Sequence, residues 1–184
     1  MPTVSSNSNC GNVNGTYTCY ESIPAEFPSD ATQVELDCID PMSITNETFC
    51  GGVWKNITYL RLFWKLHTTN ILRGGILTGL KNLTALHINI LSLKTLDTGV
   101  FDGLENLTIL NLDDCWQLNF DCLLYIMSNK DVLHNLHSLS LRKTSSENNY
   151  DVMLGERFWK MFQRPVLSLD ISKMKVNAYD MQIF

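Results

Sequence analysis

The sequence has no long apolar run and little charge of either sign. Of its 184 residues, 18% are charged, and the formal net charge is -5. A chain with this acidic balance is a poor general binder of polyanions, because affinity for nucleic acid depends mainly on neutralising phosphates with Lys and Arg. We therefore expect no nucleic-acid partner. The longest compact apolar run, from Leu123 to Met127, is much shorter than the roughly 20 residues that a membrane helix needs, so we also expect no membrane segment in this chain.

The start of the chain lacks the apolar centre of a signal peptide, since residues 1–9 are mostly polar. Six Cys residues and five Asn-x-Ser/Thr sequons nevertheless indicate an oxidising, glycosylating compartment. The sequons begin at Asn14, Asn46, Asn56, Asn82 and Asn106. We expect glycans on them, although packing alone could also favour Asn-Leu-Thr ahead of a leucine. The protein should then be an extracellular or cell-surface ectodomain, or lie in the endosomal lumen, and the chain a mature or recombinant piece without its leader.

A periodic pattern of leucines occupies most of the chain. From Leu83 the sequence follows LxxLxLxx(N/C)xxxxLxxxxFxxL, and the pattern restarts at Leu107, 24 residues later. Extended in both directions, the same phase gives six copies, which start at Ala31, Ile57, Leu83, Leu107, Leu136 and Arg164. Their starts are 26, 26, 24, 29 and 28 residues apart. This spacing and pattern are typical of leucine-rich repeats.

The repeats predict an α/β fold, a leucine-rich-repeat solenoid in the form of a partial horseshoe. One repeat cannot bury its own apolar face, so successive repeats stack, with short parallel strands on the concave face. Counted from the start of a repeat, positions four and six should point inward, and positions three, five, seven and eight should face solvent. Position nine, normally Asn, holds in chain order Ile39, Lys65, Leu91, Cys115, Thr144 and Ser172. We expect apolar packing to replace the polar ladder in the first half.

The segment before the first repeat has the features of a cap. Cys10 and Cys19 are separated by eight residues, and a solenoid needs a cap because its first coil would otherwise expose core. We therefore expect a disulfide-bonded N-terminal cap over residues 1–30 and about six repeats over residues 31–184. No Cys follows Cys122, and the last coil is unfinished, so we expect the piece to be truncated at its C-terminal end.

Several segments of the cap and repeats can be compared with known proteins. They are the CxxxxxxxxC spacing, CYESIPAEFPSDATQVELD, NLTALHI and NLTILNLDDC. Together they resemble the amino-terminal part of a Toll-like receptor ectodomain, over nearly the whole chain. The resemblance implies an innate-immune pattern-recognition receptor that binds a microbial ligand and signals after dimerisation, through parts absent from this chain. The alternative is a leucine-rich-repeat adhesion or matrix protein that binds another protein.

The remaining cysteines leave the disulfide pattern partly open. Cys38 follows the first strand and Cys50 lies on its returning loop, so we expect these two to pair and to staple the first coil. Cys115 occupies a position that is usually buried in such repeats. It is either a packed thiol or the partner of Cys122, and the spacing does not decide between these alternatives.

The solvent-facing positions of the second repeat hold the best binding candidates. They are Tyr59, Arg61, Phe63 and Trp64, and His87 of the third repeat lies beside them. Aromatic and Arg side chains dominate interaction hot spots, so we expect a partner to bind there. The competing interpretation is that Phe63 and Trp64 fold over the rim and pack on the first coil. His87 could also become cationic in an acidified compartment and help to hold an anion.

The sequence contains no pattern of a catalytic or metal site. No nucleophile elbow, metal triad or phosphate loop accompanies Asp113, Asp114 or Asp170, so we expect no enzymatic activity. A zinc site of two Cys and two His is conceivable between Cys115 and His137. The spacings between its candidate ligands do not fit a zinc finger, so we expect neither a metal nor a cofactor.

Overall fold

The computed structural model describes residues 9–24, 27–37, 43–64, 71–144, 152–153, 168–174 and 176–177. Within these residues the strands are β1 (Cys10–Val13), β2 (Thr16–Tyr20), β3 (Gln33–Asp37), β4 (Tyr59–Trp64), β5 (Ile71–Leu72), β6 (Ala85–Ile90), β7 (Thr95–Leu96), β8 (Ile109–Asn111), β9 (Ser138–Ser140), β10 (Val152–Met153), β11 (Ser168–Asp170) and β12 (Val176–Asn177). A 3-10 turn spans Gly52–Asn56, and one α-helix, α1, spans Phe120–Ser128. No helix in the described part of the chain has the length and apolar character to cross a membrane.

The main sheet has eight strands in the order β1-β2-β3-β4-β6-β8-β9-β11. Only β1 and β2 are antiparallel; every later neighbour is parallel. Parallel neighbours need a crossover between them, and here each crossover returns the chain to the next position along the same sheet. The position-four residues pair in an unbroken row of Val34, Leu60, Leu86, Leu110 and Leu139. The predicted leucine-rich-repeat solenoid is thereby confirmed.

The core lies between the main sheet and the returning segments. Because side chains alternate across a strand, positions four and six of each repeat point to the same side, and both rows are buried. The returning segments contribute a second apolar layer, which includes the buried Leu77, Leu80, Phe101 and Leu104. Each such side chain stabilises the fold by about 1.5–3 kcal/mol through its removal from water.

The strands of the second and third repeats are longer than the repeat pattern predicts. β4 and β6 continue to Trp64 and Ile90, which pair with each other at position eight. The two extra residues complete one more alternation, so both side chains point into the core, with exposed fractions of 1% and 0%. The prediction that Trp64 faces solvent is therefore wrong. In the fourth repeat the backbone instead turns at Asp114, whose φ is 62°, before a third inward position is reached.

Position nine behaves differently in the two halves of the chain. The thiol of Cys115 donates to the carbonyl of Ile88 at 3.1 Å, and the hydroxyl of Thr144 donates to the carbonyl of Leu112 at 2.8 Å. Each polar side chain thus satisfies a backbone group of the preceding coil, as expected of this position. In the second and third repeats, the buried Trp64 and Ile90 supply apolar packing instead, which agrees with the predicted break in the polar ladder.

The register of the last described repeat differs from the predicted one by two residues. Leu169 pairs with Leu139, whereas the predicted start at Arg164 places Leu167 opposite Leu139. Arg164 and Leu167 lie outside the described residues. The backbone supports the later register, since the position-eight residues Asp114, Lys143 and Lys173 then all have a positive φ, of 62°, 57° and 61°. Ser172 accordingly does not occupy position nine.

The N-terminal cap is built as an extension of the main sheet. β1 and β2 form a hairpin whose turn contains Asn14 and Gly15, both with positive φ, a turn geometry that matches the twist of paired strands. Cys10 and Cys19 lie directly opposite each other and form a disulfide, which confirms this predicted bond. β2 then pairs with β3 and shields the edge of the first coil.

An aromatic cluster joins the cap to the first returning loop. Phe27 makes an edge contact with Tyr17 at 6.0 Å and with Trp54 at 5.1 Å between ring centroids. Trp54 in turn contacts Phe49 at 4.7 Å. Aromatic pairs with this edge geometry stabilise a structure by about 0.5–1.5 kcal/mol beyond their burial, so the cap is anchored by packing as well as by its disulfide.

Candidate functional site

Five side chains on the exposed face of β3, β4 and β6 form what we name the concave cluster: Glu35, Tyr59, Arg61, Phe63 and His87. Parallel pairing places Glu35, Arg61 and His87 side by side at position five of three successive strands. Tyr59 and Phe63 flank Arg61 at positions three and seven of β4. The register therefore brings together four of the five predicted binding residues, and the fifth, Trp64, points to the opposite side of the sheet.

Arg61 lies at the centre of the concave cluster and is held from three sides. Its Nε donates to Oδ1 of Asn89 at 3.1 Å, and its NH1 lies 3.8 Å from Oε1 of Glu35. The guanidinium carbon lies 4.9 Å from the centre of the Phe63 ring, within the range of a cation–π contact. These contacts fix the direction of a charged side chain that is still 36% exposed.

Tyr59 connects the two ends of the concave cluster. Its hydroxyl donates to Oε1 of Glu35 at 3.4 Å, and its ring lies 5.0 Å from that of His87. Burial raises the pKa of the Tyr59 phenol, and the negative charge of Glu35 raises it further. The phenol therefore remains a neutral hydrogen-bonding group with one apolar face.

His87 has an environment that favours the neutral imidazole. Burial lowers its pKa, and the nearby positive charge of Arg61 lowers it further, against smaller opposing effects of Asp113 and Glu35. A side chain that becomes cationic in mildly acidic compartments needs the opposite shift. The environment of His87 thus opposes the predicted acid-dependent capture of an anion.

A second polar group, the aspartate network, continues the same face towards β9. Its centre is Asp113, which is only 6% exposed. Oδ1 of Asp113 accepts from the hydroxyl of Ser140 at 2.6 Å and from the backbone N–H of Arg142 at 2.8 Å. Oδ2 accepts from the side-chain amide of Asn111 at 3.1 Å and lies 3.5 Å from the Arg142 guanidinium.

Asn89 joins the aspartate network to the concave cluster. Its amide nitrogen donates to the backbone carbonyl of Asp113 at 2.8 Å, while its Oδ1 accepts from Arg61. The sequence analysis assigned Asp113 to the solvent-facing set and did not recognise this network. The available signal was the run of short polar residues Asn89, Asn111 and Asp113 at positions five and seven of successive repeats.

The two groups together form an amphipathic surface whose polar atoms are largely held by each other. Such a surface can offer aromatic rings, one cation and one carboxylate to a partner in a fixed arrangement. In the part of the chain that the structure describes, no three His, Cys, Asp or Glu side chains are grouped so that they could hold a metal ion. The chemistry that the surface offers is contact and hydrogen bonding.

The predicted disulfide between Cys38 and Cys50 stays a prediction, because Cys38 lies outside the described residues. Cys50 is an exposed free thiol in the structure, and its Sγ donates to the carbonyl of Asn46 at 3.0 Å. All five predicted glycosylation sites, Asn14, Asn46, Asn56, Asn82 and Asn106, are exposed to solvent. Whether they carry glycans also stays a prediction.

Cys115 and Cys122 are separate free thiols, so the bridge that the sequence left open is not formed. Burial raises the pKa of Cys115 to about 12, and burial also raises the pKa of Cys122. Cys122 donates to the carbonyl of Asn119 at 2.8 Å and accepts from the N–H of Leu96. A thiol with a raised pKa is a poor nucleophile at neutral pH, so both residues are structural.

The arrangement of the coils is shared with a solved structure. The crystal structure of human 5T4 (Wnt-activated inhibitory factor 1, trophoblast glycoprotein) is similar to this chain with a TM-score of 0.67 and 15% sequence identity. The similarity covers 93% of this chain and 64% of that one. The chain has the fold of a leucine-rich-repeat ectodomain. No family model matches the sequence, and no curated protein is similar enough to count as a relative.

A capped leucine-rich-repeat ectodomain fold is compatible with many binding functions. At 15% identity the likeness to 5T4 concerns the fold and not the partner. The function of this chain must therefore be argued from its own surface residues.

Proposed function

We propose that this chain is the ligand-recognition part of an extracellular pattern-recognition receptor of the Toll-like type. It binds a microbial ligand or a protein partner through the concave cluster, and it has a binding rather than a catalytic role. The Toll-like assignment is supported by the resemblance of the cap and of the repeat segments. The extracellular location is supported by the cap disulfide and the five exposed sequons.

The observation that carries the proposal is the fixed position of Arg61 between Glu35, Asn89 and the Phe63 ring. A long side chain normally loses conformational entropy when a partner immobilises it, and that loss weakens binding. Arg61 is already ordered by its neighbours, so a partner that contacts it loses less. Arg beside Tyr and Phe is also the composition that dominates measured hot spots.

Substitution of Arg61 is the direct test. We expect Arg61→Ala to weaken binding of a partner by about tenfold or more, because it removes the central charged group of a hot spot. The melting temperature should remain close to that of the parent chain, since the side chain is partly exposed. Binding is measured by interferometry against fractionated microbial products and purified extracellular proteins.

The matched control is Ser168→Ala, an exposed substitution on β11 of the same sheet, which should leave affinity unchanged. Equal binding by the parent and by Arg61→Ala would remove the concave cluster as the site. A large loss of thermal stability in Arg61→Ala would assign the residue a packing role instead.

The alternative function is a leucine-rich-repeat adhesion or matrix protein that binds another protein. The mixed charge of the surface favours a protein partner in either case, because Glu35 and Arg61 present both signs within one contact area. Recovery of host matrix proteins alone from an unbiased pull-down would support the alternative. Ligand-dependent dimerisation, measured by light scattering, would support the receptor.

A further inference from the structure

Four Asn side chains repeat one hydrogen bond along the flank where the chain enters the main sheet. Each precedes the first residue of its repeat, and each donates from Nδ2 to a backbone carbonyl of the preceding coil. The pairs are Asn56 to Ser29 at 3.1 Å, Asn82 to Lys55 at 2.8 Å, Asn106 to Lys81 at 2.9 Å and Asn135 to Glu105 at 2.8 Å. We name this row the asparagine ladder.

The ladder ties each coil to the one before it. In the third repeat, for example, the acceptor Lys55 is the residue immediately before Asn56, so the two rungs lie one above the other. A primary amide has two N–H groups, and each rung uses one of them. The side chains are nevertheless exposed to solvent, so the outer part of each amide is accessible.

Three of the four rungs also belong to sequons. In these the Thr that follows donates its hydroxyl to the carbonyl of the preceding coil, from Thr58 to Thr32, from Thr84 to Thr58 and from Thr108 to Thr84. The fourth rung has His137 in place of that Thr. Asn135 still makes its bond at 2.8 Å, so the rung does not depend on the Thr.

We propose that Asn56, Asn82 and Asn106 are N-glycosylated at Nδ2 and that each glycosylated amide keeps its one remaining hydrogen for the ladder. In the reaction, Nδ2 forms a bond to the anomeric carbon of an oligosaccharide held by a lipid diphosphate, and the bond from that carbon to the diphosphate oxygen breaks. The lipid diphosphate leaves, and Nδ2 loses one hydrogen as a proton to a base of the transferring enzyme. The product is a secondary amide with one N–H.

The surroundings of the middle rung leave space for a sugar. Asn82 borders an open surface groove of about 500 Å3, which Lys55 and Lys81 also line. Three glycans at equivalent positions of successive coils cover this flank, because a glycan is bulky and strongly solvated. The concave cluster lies on the adjoining strand face and remains open to a partner.

The test compares two ways of removing the sugar from the chain secreted by eukaryotic cells. A peptide-N-glycosidase breaks the bond between Cγ and Nδ2 and leaves Asp, which has no amide hydrogen. An endoglycosidase cuts between the first two sugars and leaves one sugar on Nδ2, so the amide hydrogen stays. We expect mass spectrometry to find glycans on all three residues. We expect the melting temperature to fall by about 2–4 °C per lost rung after the first treatment and to stay near the untreated value after the second.

Asn135 supplies the matched control, since its rung carries no sequon. Asn135→Asp calibrates the loss of one rung without any sugar, and His137→Thr restores the sequon and should add one glycan without loss of stability. Unmodified Asn56, Asn82 and Asn106 in the secreted protein would overturn the proposed modification. Equal melting temperatures after the two enzymes would overturn the retained hydrogen bond, even with all three glycans present.

Discussion

Trp64 and Trp116 differ strongly in what surrounds them. Trp64 is 1% exposed and lies in the row of inward residues that stacks against Ile90, whereas Trp116 is 48% exposed and donates its indole N–H to Asp114 at 3.3 Å. The first fills the space that a polar position-nine side chain fills in the later repeats. The second lies on the surface beyond the end of β8.

We expect Trp64→Ala to lower the free energy of unfolding by about 3–5 kcal/mol, because it leaves a large cavity in the core. Urea unfolding followed by far-UV circular dichroism measures the change. Trp116→Ala is the control, and an exposed substitution of this kind should change stability by less than about 0.5 kcal/mol. Similar small losses in both variants would mean that the core does not depend on the Trp64 side chain.

His87 makes the stability of the fold depend on pH. Its pKa in the folded chain is lowered by burial and by Arg61 below the usual value of about 6.5. Below that usual value the unfolded chain therefore binds the proton more readily than the folded chain. The stability that the neutral imidazole provides is present above about 6.5 and is lost as the pH falls towards the lower folded-state value.

We expect His87→Gln to reduce the loss of unfolding free energy between about pH 7.5 and 5.5, since it removes this proton uptake. Unfolding curves at both pH values measure the difference. The exposed His134→Gln should keep the pH dependence of the parent chain. An unchanged pH dependence in His87→Gln would show that other groups cause the loss.

At the scale of elements, the returning loops pack with their backbones in close contact. A Cβ atom at Gly79 would collide with the backbone carbonyl oxygen of Phe49 in the preceding coil. Backbone cannot move aside as a flexible side chain can, so this position requires Gly. The contact fixes how closely the first two returning loops can stack.

We expect Gly79→Ala to destabilise the fold by about 1–3 kcal/mol, as overpacking of a tight contact usually does. Thermal unfolding monitored by calorimetry measures the effect. Gly52→Ala is the matched control, because a Cβ there meets nothing within 4 Å. A Gly79→Ala protein as stable as the parent would show that the loops can separate without cost.

The strands show which structural features local sequence patterns can predict. Alternation and leucine spacing predict the pairing of Leu60 with Leu86 and of Leu86 with Leu110, because each depends on residues a few positions apart. The same pattern misplaces Leu169 by two residues. The step from Leu139 to Leu169 is 30 residues, and the repeat pattern does not say where in that step the additional residues lie.

At the scale of the whole molecule, the fold is a row of coils in which each coil contacts its neighbours. The concave cluster combines side chains of three strands, and the asparagine ladder combines four coils. Both features therefore form only when the coils are stacked. The candidate binding surface and the proposed glycosylated flank are properties of the stack and not of any single repeat.

The sequence by itself determined which residues of most repeats face inward and that Cys10 pairs with Cys19, because alternation along a strand and the reach of a disulfide are local constraints. Only the tertiary structure decided that Trp64 is buried and that Asp113 is held by Ser140 and Arg142. These outcomes depend on where each strand ends and on partners one or more coils away. Such distances in the chain are closed by packing, which the order of residues does not display.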